Sequence, residues 1–124
     1  VCVGTPPPPP VNDECNAAIG LTVNPEGSCA IIENGTAASA TNSGIAACVG
    51  TADDDVWYSF TAPASGSIET TISGATGTTH VVHEIFENTC GALNSVFCSD
   101  FCISLFLELA IVKIIKNLNK STLK

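Results

Sequence analysis

Apolar and polar positions alternate in short runs along residues 12–100, and no amphipathic helical stripe is evident there. The clearest run is residues 56–62, in which Val56, Tyr58 and Phe60 alternate with Trp57, Ser59 and Thr61. A period of two is the pattern of a β-strand with one buried face. Similar short runs predict further strands at residues 19–23, 28–33, 67–73, 79–87 and 94–99.

Turn-forming residues separate these runs. Examples are NPEG at residues 24–27, NG at 34–35, NSG at 42–44 and PASG at 63–66. Short strands punctuated by Gly, Pro and Asn at intervals of roughly 8–12 residues are typical of sandwiches and jelly rolls. The pattern therefore predicts an all-β, jelly-roll-like β-sandwich domain over residues 12–100.

The N-terminal segment, residues 1–11, has a different composition. It reads VCVGTPPPPPV, and its five consecutive prolines favour an extended polyproline II spacer. A disordered tail and a ligand for a proline-recognition domain are the alternatives. Because Cys2 precedes the prolines and would fit the end of an upstream folded unit, we interpret the segment as a proline-rich interdomain linker.

The C-terminal segment, residues 101–124, also differs from the body. Every Gly and Pro of the chain lies before position 92, so the segment lacks the usual turn residues of a sandwich. Its apolar run, residues 103–115, contains Glu108 and Lys113 and is shorter than the roughly 20 residues of a membrane span. Its Leu, Glu, Lys and Ala favour helix locally. We therefore predict a truncated sandwich followed by a non-homologous, helix-forming tail that arose from a frameshift or gene-model error.

Cysteine content indicates the compartment. Seven cysteines in 124 residues, with no CxxC pair and no zinc-like spacing to either histidine, favour disulfides in an oxidising environment. We therefore predict a secreted or cell-surface protein. Cys90 and Cys98 bracket a predicted hairpin and form the best candidate bond. For a second bond among Cys15, Cys29 and Cys48, we favour Cys29–Cys48 and leave the other pairings open.

The charge distribution limits the partners. Residues 1–100 contain eleven Asp and Glu but no Lys or Arg, and all four lysines lie in residues 113–124. An acidic body repels phosphate backbones and anionic lipid surfaces, so we predict no nucleic-acid and no membrane partner. Self-repulsion that keeps the protein soluble is the simplest explanation of the charge.

Three stretches of the body resemble a known family. They are NDECNAAI at residues 12–19, DVWYSFTAPASG at 55–66, and IFENTCGAL at 85–93 followed by CSD at 98–100. These stretches are similar to β-sandwich domains of secreted, multidomain Bacteroidetes proteins, related to bacterial pre-peptidase C-terminal domains. The resemblance covers residues 12–100 and implies a non-catalytic domain that accompanies proteases, glycoside hydrolases or adhesins. It also implies further strands, which this chain lacks.

Metal sites are not expected. Six acidic residues could offer oxygen ligands to calcium: Asp13, Glu14, Asp53, Asp54, Asp55 and Asp100. Where the resembling family has two further Asp residues, this chain has His80 and Phe101, which are poor ligands for calcium. His80 and His83 lie three apart in a predicted strand, so they point to opposite faces and cannot readily share one ion. We interpret both as surface or edge histidines.

No catalytic arrangement is visible either. The sequence has no GxSxG elbow and no plausible base and orienting pair, so we predict a non-enzyme without a cofactor. Trp57 and Tyr58 are the candidate ligand-binding residues, because an exposed aromatic ring could stack on a sugar. Adjacent residues of a strand face opposite ways, so one of the two is expected to lie in the core. We predict an accessory or interaction domain whose partners are neighbouring domains and an extracellular polysaccharide or protein. The first alternative is a carbohydrate-binding module, and the second is a remnant of an enzyme's catalytic domain.

Overall fold

The computed structural model describes residues 1–51, 53–74, 76, 80–102 and 109–117. The regular elements are one 3₁₀ turn and five strands. They are the turn Cys15–Ala17, β1 (Ile19–Gly20), β2 (Asp55–Thr61), β3 (His80–Glu87), β4 (Asn94–Cys102) and β5 (Leu109–Asn117). Across these described ranges, no helix is long and apolar enough to cross a membrane. The all-β prediction is confirmed.

The five strands form one mixed sheet in the order β1-β2-β5-β3-β4. The hairpin of β3 and β4 is antiparallel, with a register shift between Ile85 and Phe86. β5 pairs in parallel with β2 on one side and with β3 on the other. β5 therefore connects the two halves of the sheet, since β2 and β3 are not neighbours.

The helix predicted for the C-terminal segment is wrong over Leu109–Asn117, which form β5. Ladder pairing with strands on both sides outweighs the modest local preference of Leu and Lys for helix. The run AIVKII, residues 110–115, is rich in β-branched residues, as strands inside parallel sheets commonly are. Phe101 and Cys102 also belong to a strand, β4. The rest of the predicted tail, residues 103–108 and 118–124, lies outside the described residues.

The alternation predicted in β2 is confirmed, but both faces of this strand are buried. Val56, Tyr58 and Phe60 pack with Ile85 on one side, which we call the cleft face. Trp57 packs with Cys15 and Phe86 on the other side, which we call the disulfide face. Irregular segments cover each face of the sheet. Among the described residues, the layers that pack on the sheet therefore consist mainly of loops rather than strands.

Two predicted strands, at residues 28–33 and 67–73, are irregular in the structure. In the first, the side chain of Asn24 replaces a strand partner: Ile31 N–H donates to Asn24 Oδ1 at 2.8 Å, and Asn24 Nδ2 donates to Ile31 O at 2.7 Å. Asn side chains compete in this way with regular backbone pairing. Of the predicted run at 19–23, Ile19–Gly20 form β1.

Candidate functional site

Two disulfides bind irregular segments to the sheet. Cys15–Cys90 joins the N-terminal turn to the loop between β3 and β4, with 5.8 Å between the Cα atoms. Cys48–Cys98 joins the segment before β2 to β4, with 6.2 Å between the Cα atoms. Cys29 is exposed and free. The predicted pairs Cys90–Cys98 and Cys29–Cys48 are therefore both wrong, although three of their four cysteines are bonded.

Strand register explains why Cys90 and Cys98 do not pair. Cys98 lies opposite Glu84 in the β3–β4 ladder. It is four residues beyond the first residue of β4, Asn94, or about 13 Å along the strand. Cys90 lies in the loop that precedes Asn94. The hairpin thus separates the two sulfurs by more than a disulfide can span.

Three carboxylates fasten the segment at residues 41–48 to the rest of the domain. Asp13 accepts the Thr41 N–H at 2.6 Å and the Thr41 hydroxyl at 2.7 Å. Asp55 accepts the Ser43 N–H at 3.0 Å and the Ser43 hydroxyl. Glu84 accepts the Cys48 N–H at 2.9 Å. Charge-assisted hydrogen bonds of this kind are the stronger ones, so these acids have a structural role.

Glu84 is hydrogen-bonded through both of its carboxylate oxygens. It is 2 % exposed, and its second oxygen accepts the Ser95 hydroxyl at 2.6 Å. A buried carboxylate is tolerated when hydrogen bonds replace its water. The segment that Glu84 holds is also the one bound by the Cys48–Cys98 disulfide.

The predicted absence of a metal site stays a prediction. Asp13 and Asp55, two of the six candidate calcium ligands, are occupied with the segment at 41–48. Within the described ranges, no group of three or more His, Cys, Asp or Glu side chains is arranged to hold an ion. The side chains of His80, Asp100 and Phe101 lie outside the description.

The structure buries Trp57, so its ring is not an exposed platform for a sugar. Its side chain is 0 % exposed, and its ring packs against Phe86 with 5.7 Å between centroids. Tyr58 lies on the cleft face and is 8 % exposed. A Cβ atom at Gly35 would overlap the Tyr58 hydroxyl and come within 3.1 Å of Tyr58 Cζ, so this close approach requires glycine.

A cleft of about 1540 Å³ lies over the cleft face. Its floor comprises side chains of β2 and β3, including Tyr58 and His83, and its walls come from residues 20–40 and 63–74. Four acidic residues line it: Glu26, Glu33, Asp54 and Glu69. Four isoleucines also line it: Ile31, Ile32, Ile68 and Ile72. Sequence reasoning missed this cleft, because its walls come from segments predicted as strands.

His83 lies in the floor of this cleft, so its predicted surface position is wrong. It is 8 % exposed, and its ring meets Phe97 edge-on with 5.9 Å between centroids. Nε2 has no hydrogen-bond partner among the described residues. Burial lowers the pKa of His83 below its usual value of 6.5, because desolvation disfavours the charged ring.

The lowered pKa of His83 predicts a loss of stability on mild acidification. Between pH 6.5 and the lower folded-state pKa, the unfolded chain binds more protons than the folded one, so the free energy of unfolding falls as the pH falls. The slope for one proton is at most about 1.4 kcal/mol per pH unit. Urea unfolding between pH 5 and 7.5 measures it.

The matched variants for this prediction are His83→Gln and His80→Gln. The first should flatten the dependence of unfolding free energy on pH, because a neutral amide does not titrate. The second should leave the slope in place. A parent slope that persists unchanged in His83→Gln would contradict the assignment.

The fold and site define a small all-β domain whose covering segments are held by disulfides and buried carboxylates. The chain matches the T9SS-associated family described as galactose binding domain-like over residues 11–120, where T9SS denotes the type IX secretion system. It belongs to that family, whose fold is a β-sandwich. No curated protein and no solved structure shows a significant match.

The extent of the match corrects one further expectation. The resemblance noted in the sequence was expected to stop at Asp100, but the family match continues for another 20 residues and includes β5. The frameshift or gene-model origin of residues 101–124 concerns the coding sequence and stays a prediction. Translation of the DNA around codon 100 in all three frames would test it.

Proposed function

We propose that this chain is a non-catalytic accessory domain of a larger secreted bacterial protein. The observation that carries the proposal is the T9SS-associated family match over residues 11–120. Association with a secretion system connects the domain with export rather than with a reaction. The parent protein, on this proposal, is a protease, glycosidase or adhesin that carries the domain beside its own working part.

The disulfides and the linker support the proposal. Cys15–Cys90 and Cys48–Cys98 require an oxidising compartment, which proteins reach after export. The five prolines at residues 6–10 form a stiff spacer of the kind that separates domains. Neighbouring domains of the same polypeptide are therefore the first partners.

The location and the mass of the native polypeptide, in the cells that produce it, test the proposal. We expect peptides of this sequence in the culture medium or on the cell surface, within a polypeptide much heavier than 12.7 kDa. Quantitative proteomics of gel-separated fractions measures both properties. Recovery of a free chain of about that mass in the cytoplasm, with reduced cysteines, would overturn the proposal.

A carbohydrate-binding module is the second candidate, favoured by the family's galactose-binding-like description. With Trp57 buried, Tyr58 at the cleft is the aromatic residue that remains for this role. Affinity electrophoresis in gels containing galactan tests it directly. Retardation that is lost in Tyr58→Ala but kept in Tyr58→Phe would favour the module, whereas unretarded migration of the parent would eliminate galactan binding.

A further inference from the structure

We propose that the cleft binds an extended segment of a partner protein that carries both aliphatic and Lys or Arg side chains. This inference rests on the accessory role proposed above and names the chemistry of a protein partner. Three properties of the cleft support it: exposed aliphatic walls, acidic residues on those walls and a volume larger than that of typical small-molecule sites.

The aliphatic walls are incompletely covered. Ile31 and Ile32 are 55 % and 71 % exposed, and Ile68 and Ile72 are 37 % and 39 % exposed. These four side chains line one cleft, above a floor that is buried. Single exposed isoleucines are ordinary, but several around one concave surface mark an interaction site.

The charge of the cleft selects a cationic partner. Glu26, Glu33 and Glu69 are exposed, and Asp54 is half-buried. No Lys or Arg occurs in residues 1–100, so the segments that build the walls contain no basic side chain. Such a surface attracts cations and repels anions, and charge complementarity sets the choice of partner.

The size and floor of the cleft favour a polypeptide segment. Sites for small molecules typically enclose about 300–1,000 Å³, which is less than the 1540 Å³ here. An extended segment can fill a cleft of this size and place alternate side chains toward its walls and floor. In the floor, His83 Nε2 has no hydrogen-bond partner among the described residues and could pair with a polar group of the bound segment.

The probe is a fluorescein-labelled, capped peptide with four Leu-Lys repeats, titrated in 0.15 M NaCl and followed by anisotropy. We expect this peptide to bind at least tenfold more tightly than peptides with Leu-Glu, Leu-Ser or Gly-Lys repeats. If the Gly-Lys peptide binds as tightly as the Leu-Lys peptide, charge alone explains the binding. If the Leu-Ser peptide binds as tightly, charge makes no contribution to it. Either result overturns the proposal.

Matched variants test the location. The double variant Glu33→Gln/Glu69→Gln should weaken binding of the Leu-Lys peptide at least fivefold. Glu14→Gln/Glu87→Gln has the same net charge but alters residues outside the cleft lining. It should stay within twofold of the parent. Equal weakening by both pairs would indicate attraction to the overall charge and overturn the cleft as the site.

A second matched pair tests the aliphatic contribution. Ile32→Asn should weaken binding at least fivefold, whereas Val49→Asn should not, since Val49 is 42 % exposed but does not line the cleft. Both positions are exposed, so urea midpoints should match the parent. Equal effects at the two positions would overturn the proposal.

Two further binding experiments distinguish a partner protein from other possible occupants of the cleft. Displacement of the peptide by galactan oligosaccharide would make the cleft a sugar site. Tighter peptide binding after removal of residues 118–124 would make the chain's own basic end the occupant. Either outcome would overturn the proposal that a separate protein occupies the cleft. Neither outcome affects the accessory role, because that role is tested by the size and location of the native polypeptide.

Discussion

Removing the C-terminal segment after Cys102 should abolish cooperative unfolding. The truncation deletes β5, which hydrogen-bonds to β2 over residues 111–117 and to β3 over residues 109–116. Without it, β2 and β3 each expose an unpaired edge, and buried backbone groups lose their partners. We expect urea unfolding, followed by Trp57 fluorescence, to change from a sigmoidal transition to a broad one.

Two controls separate the loss of β5 from a general effect of shortening. Truncation after Asn117 retains β5 and should retain the transition. In the full chain, Ile114→Pro should be severely destabilising, because proline removes a ladder hydrogen bond from a central strand. Ile114→Thr keeps a β-branched side chain and should cost far less. If the Cys102 truncation unfolds cooperatively at the parent midpoint, β5 is dispensable and the described topology is contradicted.

Loss of either disulfide should cause the second-largest decrease in the free energy of unfolding. The bonds span sequence separations of 75 and 50 residues. Loop entropy alone predicts a loss of about 4 kcal/mol for Cys15→Ser/Cys90→Ser, and a similar loss for Cys48→Ser/Cys98→Ser. A small domain is stable by roughly 5–15 kcal/mol in total, so either loss is severe. Urea unfolding of the purified double variants measures it.

The control for the disulfides is Cys2→Ser/Cys29→Ser, which removes two free, exposed cysteines and should be nearly neutral. Peptide mapping without reduction should recover Cys15 joined to Cys90 and Cys48 joined to Cys98. Peptides that join Cys90 to Cys98 would contradict the described register, because Cys98 lies about 13 Å along β4 from its first residue, Asn94, and Cys90 precedes that strand.

Local features of this protein followed from its sequence. The alternation in residues 56–61 predicted β2, and the runs at residues 79–87 and 94–99 predicted β3 and β4. The motifs over residues 12–100 indicated a secreted Bacteroidetes domain, consistent with the family match. Seven cysteines indicated disulfides. Each of these inferences depends on neighbours in sequence, for which periodicity, turn chemistry and composition are direct indicators.

Pairings between distant residues were decided by the tertiary structure alone. Cysteine spacing did not reveal that Cys15 lies beside Cys90, since strand register determines which sulfurs meet. Asp13 and Asp55 were only two of six acids that could offer oxygen ligands, and their hydrogen bonds to the segment at residues 41–48 could not be inferred from the sequence. Trp57 looked like a ligand platform, but Phe86 and Cys15 cover it. The segment at residues 101–124 was predicted to form helix locally, whereas pairing with two strands distant in sequence makes residues 109–117 the central strand.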